Sequence, residues 1–159
     1  MDRRKDVIDK LTSGLDDTVA FFESMTPDQL DREIYHEGAG WTARQVLAHL
    51  VTIERSMHWL FKNILSGGEG SPRDFDVDRF NQSQTAKLDG IPMGEMIERL
   101  REIRRGTVDL VASMTQEDLD REGYHVFHGH GRLERFIRWA YEHAAMHAAD
   151  VQNILQKAE

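Results

Sequence analysis

Four segments of this chain place apolar residues at steps of three and four, and that rhythm admits little besides a bundle of helices. Residues 2–24 carry Val7, Leu11, Leu15, Val19 and Phe22 on one stripe, weakened a little by Gly14. A second segment opens at Trp41, with Thr42 and Gln45 at capping-box spacing, and marks its buried face with Val46, Leu50, Ile53, Met57, Leu60 and Ile64. From about Met93 the stripe is Met96, Leu100, Ile103, Leu110 and Met114, with Thr107 taking one inward turn. From near Gly131 it is Leu133, Phe136, Ala140, Ala144, Val151 and Ile154. Strand-like alternation is sparse, so the pattern predicts an all-α fold, an antiparallel four-helix bundle. In a chain of 159 residues the four helices make one domain, 1–159. The connection from Ser66 to Pro92 is rich in Gly, Pro, Ser and Asp. It reads as a long crossover between halves, with a short helix around Val77 to Lys87.

The halves echo each other. SMTPDQLDREIYH at 24–36 and SMTQEDLDREGYH at 113–125 share nine of thirteen residues. In each copy Thr26 or Thr115 can cap a short turn, Pro27 suits a first helical position, and Leu30 or Leu119 points back into the bundle. Each copy ends one long helix and leads, through Tyr35-His36 or Tyr124-His125, into the next. The expected molecule is two helical hairpins related by a pseudo-twofold axis, the repeat itself being a shared helix exit with no chemistry of its own.

Composition narrows the chemistry. With no cysteine, thiol nucleophiles, disulfides and iron–sulfur clusters are excluded, so any metal must be held by nitrogen and oxygen. A net charge of −8 argues against nucleic acid, whose phosphates need a basic face. No segment is apolar enough for a membrane span, and the charged N-terminus MDRRKDVIDK has no signal-peptide core, which predicts a cytoplasmic protein acting on a small molecule.

Eight histidines are many for this length, and three fall on buried stripes. His49 lies three residues after Val46 and four before Ile53. His143 and His147, spaced i, i+4, are separated by about 6 Å along the axis and about 40° around it, close enough for both imidazoles to reach one ion. A lone inward histidine is most often a core residue bonded to a carbonyl, and H-x-x-x-H alone is weak. Three together offer neutral nitrogen donors with one position left open, the pattern of a catalytic metal site, although core histidines without a metal remain the competing reading. The loop HVFHGHGRLERF adds His125, His128 and His130, either a pocket mouth, a source of a fourth ligand, or a solvated loop. Glu54, His58 and Glu142 are candidates to support the site, with exposed ion pairing the expected fate of both glutamates. Trp41, Trp59 and Trp139 are read as core or pocket wall.

The stretch WTARQVLAHLVTIERSMHWL, the H-A-A-M-H of the last helix and the T-P-x-x-L turn together resemble the DinB/YfiT-like superfamily over essentially the whole chain. This is the damage-inducible bundle family, distinct from the polymerase that shares the name. The resemblance implies a divalent metal, commonly zinc or nickel, on His49, His143 and His147. It also implies, from several relatives, a low-molecular-weight thiol such as mycothiol or bacillithiol activated by that metal in S-transfer or isomerisation. The loop histidines depart from the family pattern. Three function classes follow: a metal-dependent transferase or hydrolase using a thiol or water, a non-catalytic metal- or ligand-binding stress-response bundle, and a structural bundle. The resemblance and the unassigned Phe21 and Phe61 also raise the expectation of a homodimer.

Overall fold

A computed structural model of the chain describes residues 1–157. Its long helices are α1 (Arg3–Glu23), α3 (Ala43–Leu65), α5 (Met93–Ser113) and α6 (Leu133–Lys157), joined by the single turn α2 (Pro27–Leu30) and the crossover helix α4 (Val77–Ala86). The all-α bundle with a long crossover is therefore present as expected. The two hairpins interleave: α1 packs on both α5 and α6, and α3 packs on both as well, so the two long helices within each hairpin, α1 with α3 and α5 with α6, sit across the diagonal. Ion pairs and hydrogen bonds fix the directions. Arg4 at the start of α1 donates to the Met114 carbonyl just past the end of α5, and Arg138 early in α6 reaches Asp6. Thus α1 runs against α5 and with α6.

The duplicated sequence folds the same way twice. Thr26 accepts from Gln29 N at 3.2 Å while Gln29 Oε1 accepts from Thr26 N. Thr115 and Asp118 make the same reciprocal pair. Leu30 and Leu119 are both buried. The carbonyls of Arg32 and Arg121 accept from Ala43 N and Leu133 N, the first residues of the following long helices. Reciprocal caps of this kind satisfy amides that would otherwise lack partners, each worth about 1 kcal/mol.

Three features depart from the sequence pattern. The segment before α6 is a two-stranded antiparallel hairpin, β1 (Glu122–His125) and β2 (Gly129–Arg132), so α6 begins at Leu133 rather than Gly131. Strands this short carry too few residues to show period-two alternation. The crossover is stitched to β1: Tyr124 N donates to the Glu69 carbonyl and Ser71 N to the Tyr124 carbonyl, both at 2.8 Å. Gly70 sits between them at φ +96°, where a Cβ would collide with the Tyr124 backbone.

The third departure lies in the core. The inward face of α5 passes through Arg104 and Val111, while Ile103 and Leu110 are only half-buried. Arg104 is 2% exposed and pairs with Glu54, which is equally buried and not an exposed ion-pair partner as its sequence context suggested. Arg104 Nη2 donates to Glu54 Oε1 at 2.7 Å, Nη1 to the Leu11 carbonyl, and Nη2 also to the Ala140 carbonyl. Thr107 donates to Glu54 Oε2 at 2.8 Å. One guanidinium so ties all four long helices at mid-bundle, with its charge paired and each of its three nitrogens hydrogen-bonded, the condition under which burial of an ion is tolerated. Phe61 is fully buried and Phe21 packs edge-on to Phe22, so neither supplies an exposed apolar face. Among the described residues no helix is long and apolar enough to cross a membrane.

Candidate metal centre

The site begins with a cap. Thr42 Oγ1 accepts from Gln45 N and Thr42 N donates to Gln45 Oε1, which fixes where α3 starts and therefore which way every later side chain points. Seven residues on, His49 turns inward and lies against the Trp41 ring, centroids 4.7 Å apart. From α6, on the facing side, His143 and His147 project toward it, one turn apart. All three are buried.

Their Nε2 atoms converge. His49 Nε2 lies 3.4 Å from His143 Nε2, and His147 Nε2 lies 2.9 Å from the same atom. One donor atom from each of the three residues falls within 4.8 Å of the others. Two imidazole nitrogens on a tetrahedral ion stand about 3.3 Å apart, given metal–nitrogen bonds near 2.05 Å. The longer contact matches that spacing and the shorter is somewhat inside it.

Hydrogen bonding assigns the proton on His147. Tyr35 Oη lies 2.6 Å from Asp150 Oδ2 and 2.7 Å from His147 Nδ1. A carboxylate can only accept, so the single phenolic proton goes to Asp150 and His147 Nδ1 must carry the proton it donates to Tyr35. His147 Nε2 is then a bare lone pair aimed at its neighbours. A proton on His143 Nε2 would satisfy only the closer of the two contacts, and His49 Nδ1 is left buried without a partner whichever way the protons are arranged. A cation at the meeting point satisfies the converging lone pairs at once, so the donor set fits a divalent ion.

Burial keeps these rings neutral and ready to donate. His49 is pushed down to about 3 by burial, then by His147. Burial, with repulsion from His147, His49 and the loop histidines, takes His143 to about 2. Burial lowers His147 too, opposed by the Asp150 charge. Tyr35 is raised by burial and by its bond to Asp150, so it remains a phenol.

The three histidines floor a cavity of about 1040 Å³ walled by α3, α6, the crossover and the hairpin loop. Trp41, Trp59 and Trp139 all line it, as pocket wall rather than deep core. The loop histidines separate. His130 is exposed. His128 packs edge-on to Trp139 with centroids 4.5 Å apart. His125 is buried and lines the cavity, its Nδ1 accepting from the amides of Phe127 and His128 at 3.0 and 3.1 Å. It is neither a solvated residue nor one of the three converging histidines, and burial pushes it down to about 4. His58 lies off the site, bonded to Thr107. Glu142 is exposed, and Glu54 belongs to the Arg104 network.

Sequence reasoning missed Tyr35, Asp150 and the placement of His125. The repeat held the signal for two of them: its first copy sends a tyrosine, and its second a histidine, into one cavity from opposite ends of the bundle. Asp150 stands three residues after His147, on the same helical face, a spacing at which a partner for the outer imidazole nitrogen could have been sought.

A crossover helical bundle with three histidines converging under an apolar cavity defines a class of bundle with a candidate metal site. The chain belongs to the DinB superfamily, whose model matches residues 10–151. Proteins from Bacillus cereus and Bacillus anthracis, provisionally named metal-dependent hydrolases, are 23% identical over 130 residues, 82% of this chain and 73% of theirs. Among solved structures, YfiT from Bacillus subtilis, described as having an unusual four-helix bundle topology, superposes with a TM-score of 0.77. It is 21% identical, with 98% of this chain and 87% of that one covered. The sibling lethal factor precursor DfsB superposes with a TM-score of 0.75 at 13% identity, over 98% and 96% of the two chains.

Proposed function

We propose that this protein is a metal-dependent hydrolase in which His49, His143 and His147 hold one divalent ion, zinc or nickel, at the floor of the cavity. The observation that carries the reading is the convergence of three Nε2 atoms, one of them held as a lone pair by the chain Asp150–Tyr35–His147. The names given to the Bacillus relatives agree with it. A divalent ion held there would supply Lewis acidity toward a water or a low-molecular-weight thiol. The protein's own part is to keep three imidazoles neutral by burial, to fix the His147 ring through Tyr35, and to line the approach to them with aromatic walls. Water is the favoured nucleophile over a thiol, because the lining residues include no lysine or arginine to receive the carboxylates that many cellular thiols carry.

Elemental analysis of protein purified without added chelator tests the ligand set. Each of His49→Ala, His143→Ala and His147→Ala should lose most of the bound metal, since two imidazoles compete poorly with buffer. The exposed His36→Ala protein should keep it. Full occupancy in the His143→Ala and His147→Ala proteins would remove these residues as ligands. Hydrolysis of neutral esters and amides by metal-loaded but not metal-stripped protein separates the enzyme from a non-catalytic binding bundle.

A further inference from the structure

The cavity walls carry information that the metal ligands do not. Among the described residues the large exposed hydrophobic side chains are Met1, Trp59, Phe75, Phe127 and Met146, and all but Met1 line this one cavity. Phe127 is 70% exposed and Trp59 55%, a costly way to display aromatic surface unless something covers it. Phe127 and Trp139 already stack, centroids 5.5 Å apart and planes 16° from parallel, which leaves flat faces along the wall. No lysine or arginine lines the cavity, and the acidic groups that do are Glu37 and Asp78. Apart from the three converging histidines, the wall offers a polar atom to a ligand at His125. Because His125 Nδ1 accepts two backbone amides, its proton is on Nε2, which has no partner among the described residues.

We propose that the cavity binds a neutral compound with a planar apolar body of about two fused rings, bearing an amide-like group whose oxygen accepts from His125 Nε2. Against the walls an anionic group is disfavoured, since its charge would be desolvated where no lysine or arginine pairs it, in a protein of net charge −8. The inference rests on the metal reading only in calling this ligand a substrate. Its binding needs the walls alone.

The chain has three tryptophans and all line the cavity, so intrinsic fluorescence reports on it directly. Metal-stripped protein is titrated with 2-naphthamide, 2-naphthoate and 2-ethylnaphthalene. Stripping removes any attraction of the carboxylate to the ion, and leaves the result independent of whether His49, His143 and His147 are ligands. Saturable quenching by 2-naphthamide is expected, with naphthoate and ethylnaphthalene each weaker by about tenfold or more. Phe127→Ser and Trp59→Ser, both exposed positions that leave the helical spectrum intact, should each weaken 2-naphthamide by about tenfold. The side-chain 15N signal of His125 Nε2 should shift on binding. Absence of saturation, equal affinity in the Phe127→Ser protein, or tighter binding of naphthoate would overturn the proposal. An unmoved His125 signal would do the same for the polar contact.

Discussion

At Tyr35 a single hydroxyl decides how the His147 ring is held. Its oxygen receives the proton of His147 Nδ1 and passes its own toward Asp150, so the ring can neither flip nor change tautomer without breaking a short hydrogen bond. Removing the oxygen in Tyr35→Phe should leave the fold in place, because the ring is retained. Metal affinity, measured by competition with a chelating dye, should fall roughly 10- to 100-fold, the range found when such outer partners are lost. Unchanged affinity would mean that packing alone orients His147. The tyrosine was visible in the sequence as half of a repeated Tyr-His pair. Its partner was not, because 112 residues separate it from His147.

Between elements, the Arg104–Glu54 pair is the point on which the bundle's interleaving turns. Glu54 in α3 and Arg104 in α5 are each near mid-helix, and the guanidinium also bonds carbonyls of α1 and α6. Glu54→Gln removes the counter-charge and leaves a buried cation, which should cost about 3–5 kcal/mol in urea unfolding. The double change Glu54→Leu with Arg104→Met should recover much of that loss, since apolar groups of similar volume need no partner. Neither residue lines the cavity, so protein that remains folded should hold metal normally. A double variant as unstable as the single would point to the lost carbonyl contacts of Arg104 instead. The stripe on α5 was legible at Met96, Leu100 and Thr107. Reading only apolar residues, it stepped to Ile103 and Leu110 where the inward positions belong to Arg104 and Val111.

For the whole molecule, buried neutral histidines tie stability to pH. His49 near 3, His143 near 2 and His125 near 4 lie below the unfolded value of about 6.5. Between those limits the unfolded chain binds more protons than the native one, so stability rises with pH there and is lost as pH falls. Metal-stripped protein should therefore have a distinctly lower urea midpoint at pH 5 than at pH 7. His143→Ala should flatten that dependence, and an unaltered slope would show that the ring is not held neutral. Helix count, the crossover, the twin caps and the inward direction of His49, His143 and His147 were set by periodicity and local hydrogen bonding, which act over four or five residues and so are written in the sequence itself. The diagonal placement of the two helices within each hairpin, the strand hairpin stitched to Gly70, the burial of Glu54 with Arg104 and the meeting of Tyr35 with His147 were decided by tertiary structure. Each depends on which helix lies beside which, a choice made by packing surfaces from distant parts of the chain together, and no local pattern records it.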